Sequence, residues 1–173
     1  PYDRVIFCAG FKFDNSIFDE SCKPESAIMG KLPAQTSEWE STNIPDMYIA
    51  GTLMAACDFH KTMSGFIHGF RHNIESLFYV IEYKYHGTPW VSDAIEASPH
   101  SVVEKVIDRV TTAPGMFLQP GFLCDVFVVS TEDNLVHYYN DIRLDYVPDS
   151  HFSKNDHYYT VSLEYGHFTD DPF

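Results

Sequence analysis

Glycine is scarce in this sequence and never patterned: there are nine in 173 residues, and no G-x-G-x-x-G among them. The chain therefore lacks the loop that brings backbone N–H groups against a dinucleotide pyrophosphate. Cysteine is equally thin. Cys8, Cys22, Cys57 and Cys124 stand far apart, with no C-x-x-C pair and no zinc spacing, which argues against a dithiol redox motif or a sequence-encoded zinc site. Cys8 and Cys124 lie in apolar strand-like runs and read as small core residues. Cys57 lies in a loop, where simple burial outweighs a redox role. No apolar run approaches the roughly 20 residues of a membrane-spanning helix. Positive charge is short as well. Eleven Lys and Arg against 25 Asp and Glu give −14 at pH 7, a balance that repels nucleic acid and anionic membrane surfaces.

What is present is apolar and aromatic. Hydrophobic residues make up 45% and aromatic residues 16%, enough for a packed core. The chain opens at Pro1 inside a strand-like run and stops at Pro172-Phe173, which sets the expectation of a piece of a longer protein. Its organising stretch runs from Asp46 to Gly87. Met47-Tyr48-Ile49-Ala50, bounded by Pro45 and Gly51, has the length and flanks of a buried strand. After a loop, Ile67, Phe70, Ile74, Leu77, Phe78 and Ile81 fall at helical spacing. Ser64 suits the N-cap, Lys84 and His86 the negative pole, Gly87 the C′ position and Pro89 the stop. The pattern is strand, loop, helix, with the helix N-terminus near the strand's C-terminal end, where ligands sit in open α/β sheets.

Either side of that stretch the signals are simpler. Arg4 to Phe11 reads as a buried strand ending at Gly10, where a sharp turn or close backbone approach is permitted. Phe13 to Asn43 reads as loops with one helical turn at most. Thr88 to Pro99 reads as a polar linker, and Ser98-Pro99 as N-cap and N1 of a second helix with Val102, Val103, Val106, Ile107 and Val110 on its apolar face and Pro114-Gly115 at its end. FLCDVFVVS, HYYNDIRLDYV and HYYTVSLEYG read as strands separated by the turn-rich PDSHFSKND. They predict a small antiparallel sheet with one helix, in which Tyr138, Tyr139, Tyr146, Tyr158, Tyr159 and Tyr165 form a half-buried sheet surface.

Two segments together carry a family resemblance. IPDMYIAGT followed by SGFIHGFRHNIESL resembles the last flavin-contacting strand and helix of two-dinucleotide-domain flavoproteins, the flavin monooxygenase and thioredoxin reductase-like family. YDRVIFCAGFKFD resembles the linker strand of the same proteins, whose Ala-Thr-Gly-aromatic signature is replaced here by Cys8-Ala9-Gly10-Phe11. With the Tyr-rich EYG segment, the likeness extends to endoplasmic reticulum flavoproteins associated with degradation of misfolded glycoproteins. The resemblance implies an α/β fold, the C-terminal part of an FAD/NAD(P)-binding Rossmann-like unit over residues 1–87, then a small α+β appendage over 88–173. It implies an FAD-dependent oxidoreductase, with FAD as cofactor and a pyridine nucleotide, NAD(P)H, bound by parts outside this sequence. It also implies a place in the endoplasmic reticulum lumen and partners among luminal reductases and glycoprotein-handling chaperones.

The implied cofactor-binding residues are Gly10, Gly51, Thr52, Gly65, Phe66 and Ile67. The last three would set a helix N-terminus, with its partial positive charge, against the flavin ring. Many relatives carry Gly-Asp where this chain has Gly51-Thr52, so a charged contact to the ribityl chain is lost, and Asp58 is a candidate to compensate. His68 and His72 have i, i+4 metal spacing but no third ligand, and a flavin-proximal or surface pair is the better reading. His60 and Lys61 are loop residues of ordinary solvated type. No catalytic residue is named. With the phosphate loops expected upstream, the piece alone is expected to be inactive. A monooxygenase and a flavin-free scaffold for degradation partners are the alternative readings.

Overall fold

The computed structural model describes residues 2–8, 10–59, 61–155, 157–164 and 166. Ala9, His60 and Tyr165, each part of a sequence reading above, lie outside the described residues. Two short strands, β1 (Ser26–Ala27) and β2 (Leu32–Pro33), pair antiparallel around a tight turn in which Gly30 has φ +80°. A 3-10 turn at Gly51–Cys57 and another at Met63–Gly65 lead into α1 (Ile67–Ile81), which runs on through a π turn at Glu82–His86. Then come β3 (Asp93–Glu96), α2 (Pro99–Thr112), α3 (Pro114–Leu118), β4 (Leu123–Ser130), β5 (Leu135–Arg143) and β6 (Tyr158–Ser162), with 3-10 turns at Leu144–Asp149 and His151–Lys154 before β6.

The four later strands form one antiparallel sheet in the order β3-β5-β4-β6. β4 is the centre because LCDVFVVS has almost no residue that tolerates water on either face, and six of its eight residues are buried. Alternation divides its side chains. Cys124, Val126 and Val128 meet Val80 of α1, Trp90, Ile142 and Phe152, while Phe127 joins Val136, Tyr138 and the inner edge of α2, Val102 and Val106. A third cluster, Trp39, Met54, Leu77, Phe122 and Leu123, packs the early loops onto α1 and the start of β4. The result is mixed helix and sheet, and every strand pair among the described residues is antiparallel.

Much of the second half matches the sequence. Ser98 caps α2 by accepting from the Ser101 N–H at 3.2 Å with Pro99 at N1, and Gly87 closes the π turn in the left-handed region at φ +65°. Of the tyrosines, Tyr138 and Tyr146 are core residues and Tyr159 is exposed. β3 lies inside the expected linker, because strand β5 supplies a pairing edge that no local propensity announces. Pro114 does not stop the chain's helical course but opens α3.

The first half departs further. The described residues between Arg4 and Phe11 form no strand and are not buried. Val5, Ile6, Phe7 and Phe11 are 74–98% exposed, and Cys8 is exposed as well. A strand exists only where a neighbour pairs with it, and no described segment does so. Met47–Ala50 is no sheet strand either. Ile49 alone is buried there, and the segment pairs locally, Ile49 N–H to the Trp39 carbonyl at 2.8 Å and Ser41 N–H to the Met47 carbonyl at 2.7 Å. Phe66, not Ser64, is the N-cap of α1, because Ser64 is held in the preceding 3-10 turn.

The face that α1 buries is also not the apolar stripe. Gly69, His72, Asn73, Ser76, Leu77 and Val80 point inward, whereas Ile67 is 74% and Phe78 55% exposed. Leaving each of these two in water forgoes roughly 1.5–3 kcal/mol. Gly69 decides the rotation. A Cβ there would lie 1.9 Å from the Met63 carbonyl oxygen, so only glycine lets the 3-10 turn close over this side of the helix.

Candidate functional site

A groove of about 480 Å³ lies where three separate stretches meet in front of α1. Its walls include Phe11 and Phe13 from the extended N-terminal segment, Leu32 of β2, Leu53 and Ala55 of the Gly51–Cys57 turn, and Phe59. Gly10, Thr52 and Gly65, three of the six residues implied to face a flavin, line it together. Gly51 precedes Thr52 at φ +77°, turning the chain out of Ile49 and into the 3-10 turn. Phe66 and Ile67 stand outside the groove lining, exposed at the first turn of α1.

Hydrogen bonds hold this arrangement without using the groove's interior. The Phe13 N–H donates to the Lys31 carbonyl at 3.0 Å, fastening the N-terminal segment to the β1–β2 hairpin. Thr52 donates its hydroxyl to the Gly65 carbonyl, tying the two 3-10 turns together. Thr52 therefore does for the fold what the resemblance assigned to a ribityl contact, although the oxygen keeps acceptor capacity. Asp58 is buried and accepts from the hydroxyls of Thr62 and Ser64. It shapes the approach to α1 and does not face the groove, so it cannot replace the missing carboxylate.

Two cations were not legible as site residues. Lys12 and Lys31 both line the groove, and Lys31 Nζ lies 5.6 Å from the Phe59 ring centre. The Lys12 stem passes over Gly30, where a Cβ would come within 3.4 Å of Lys12 Cε. No periodicity links these lysines, since only the hairpin brings them together. In a chain of net charge −14, a groove with two lysines in its lining favours a negatively charged ligand. α1 has no side-chain cap at Phe66, and within its first turn the Gly69 N–H is taken by the Phe66 carbonyl at 2.9 Å.

Other candidates fall elsewhere. His68 stacks on Phe66 with ring centres 5.7 Å apart. His72, one turn further along the same side, is buried, its Nδ1 3.9 Å from Asp141 Oδ2. They do not converge. Burial pushes the His72 pKa down, against a smaller opposing pull from Asp141. Cys57 is partly buried, and burial pushes its thiol pKa up against the lowering influence of Arg143, the reverse of an activated thiolate. The groove has mostly apolar walls with two lysines in its lining. It does not fit a whole dinucleotide, because nothing in 173 residues supplies a pyrophosphate loop.

The chain is similar to curated proteins called FAD-dependent oxidoreductase domain-containing protein 2. To the one from Danio rerio it is 35% identical over 131 residues, 75% of this chain and 19% of that protein. To the one from Mus musculus it is 31% identical over 145 residues, 83% of this chain and 22% of that protein. The chain therefore spans about a fifth of the length of the curated relatives it matches. No family model and no solved structure matches it.

Proposed function

From its similarity to FAD-dependent oxidoreductase domain-containing protein 2, we propose that this chain forms the flavin-ring side of an FAD-dependent oxidoreductase. The observation that carries the reading is the groove, which gathers Gly10, Thr52 and Gly65 from three separate stretches that precede α1. FAD, when bound, supplies a two-electron carrier. The chain's own residues bind and bias it. Phe11, Phe13 and Phe59 provide apolar surface that excludes water from a ring, while Lys12 and Lys31 favour electron density gathered on its edge. The Thr52–Gly65 link keeps the turn and the helix at a fixed spacing.

A second observation supports a larger assembly. The outward apolar residues of the N-terminal segment and of α1 suit cover by the rest of a dinucleotide-binding domain of Rossmann-like form. On this reading residues 1–87 complete that domain and 88–173 form the appendage. The family resemblance extends the proposal to NAD(P)H as reductant, the endoplasmic reticulum lumen as location, and luminal reductases and glycoprotein-handling chaperones as partners. A flavin-free scaffold is the competing reading, favoured by the internal use of both Thr52 and Asp58 side chains.

The test compares visible absorbance of the purified full-length protein with that of its Gly65→Glu variant. A Cβ at Gly65 meets only Ala55 Cβ at 3.7 Å, so the variant keeps its fold while placing a carboxylate at the groove. A flavin band present in the parent and lost in the variant supports the proposal. Flavin retained by both places the ring elsewhere, and flavin in neither supports the scaffold.

A further inference from the structure

Helix α2 sorts its charges by side. Its two cations turn to the sheet and are neutralised there: Lys105 Nζ lies 2.9 Å from Asp93 Oδ2, and Arg109 Nε lies 2.8 Å from Asp125 Oδ2. The outer side keeps an apolar row, Val103, Ile107 and Val110, at i, i+4 and i+7, with Val103 53% and Ile107 57% exposed. Beside that row stand two carboxylates. Asp108 enters no ion pair among the described residues, and Glu104 meets only His100, itself exposed, at 3.3 Å. The row ends in a groove of about 430 Å³ between α2 and the sheet, lined by Val102, Val103, Phe127, Val136 and Tyr159 among others.

We propose that this face of α2 docks a basic amphipathic helix of a partner protein, which lays an apolar stripe along Val103–Ile107–Val110 and inserts one bulky apolar side chain into the adjoining groove. Three chemical features select that occupant. The row has the spacing of a helix-in-groove contact, the groove has the volume of an anchor pocket, and the flanking charge is negative in a chain of net −14. A second copy of α2 would set Glu104 and Asp108 against their own kind, which costs binding energy. An anionic lipid surface would meet the same repulsion. The inference is independent of the flavin groove, which lies on other elements.

The experiment uses the full-length protein and a fluorescent peptide of about 18 residues, long enough for a stable helix. The peptide carries Leu at i, i+3, i+4 and i+7, one Trp, and Lys on the flanks. Its twin has Glu for every Lys. Anisotropy titration should show the Lys peptide binding about tenfold more tightly or better than the twin. Ile107→Asp should weaken that binding by about tenfold, and the double variant Glu104→Lys/Asp108→Lys should reverse the preference. All three positions are exposed, so an unchanged melting temperature confirms that the fold is intact. Equal affinity for the two peptides, no binding of either, or indifference to Ile107→Asp overturns the proposal. A concentration-dependent dimer that Ile107→Asp dissolves also overturns it, in favour of a second copy.

Discussion

Arg109 grips Asp125 across the helix–sheet boundary with two nitrogens, Nε to Oδ2 at 2.8 Å and Nη2 to Oδ1 at 3.2 Å. Asp125 is 1% exposed, sits at the irregularity in β4 between Cys124 and Val126, and also accepts the Tyr138 hydroxyl at 2.6 Å and the Asp141 N–H at 3.0 Å. The carboxylate thus has its lone pairs filled, but only Arg109 cancels most of its charge. Arg109→Met should destabilise the fold by about 3–5 kcal/mol, the cost of an uncompensated buried charge. The double variant Arg109→Met/Asp125→Asn should recover a large part of that loss. Urea unfolding of the three proteins checks both statements.

Gly69→Ala tests the rotation of α1. The added methyl would collide with the Met63 carbonyl, a backbone atom that cannot swing aside, and the Gly69 carbonyl is itself held by Gln119 Nε2 at 3.0 Å. The expected cost is about 2–3 kcal/mol. Gly51→Ala meets open space and bears only the strain of its φ of +77°, about 1–2 kcal/mol. Thermal melts should therefore rank the two variants in that order.

Acid should weaken the fold in two steps. His72 and His151 both have pKa values pushed below the ordinary 6.5, chiefly by burial. The unfolded chain then binds protons more readily, so stability falls as pH drops below about 6.5. Asp141 opposes this at His72, whereas Arg71 and Arg109 reinforce it. Glu40, held low by its hydrogen bond from Lys84, adds a further loss below its ordinary 4.5. Chemical denaturation at about pH 7.5 and about pH 5 should show the first step, and His72→Gln should shrink it.

The cysteines should separate by reactivity. Cys8 is exposed and Cys22 partly so, while burial pushes the Cys57 thiol up and the Cys124 thiol up to about 12. Iodoacetamide at neutral pH should modify Cys8 and Cys22 first, Cys57 slowly, and Cys124 only after denaturation. Mass mapping of a time course reads the order directly. Fast labelling of Cys57 would restore it as a redox candidate.

The sequence by itself determined the elements whose signal is local. Ser98-Pro99 caps α2, Gly87 ends the π turn, and the apolar run of β4, interrupted only by Asp125 before Ser130, demands burial on both faces; each follows from a few adjacent residues. Gly10, Thr52 and Gly65 were also legible as candidates, through the resemblance. Their meeting in one groove was not, and neither were Lys12 and Lys31, because a hairpin and a 3-10 turn set those distances. Tertiary contacts alone decided which face α1 buries. Hydrophobic spacing predicted Ile67 and Phe78 inside, yet a glycine against the Met63 carbonyl and a Gln119 hydrogen bond turned the polar side inward. Period identifies a helix and its stripe, but steric closure at one residue fixes its rotation.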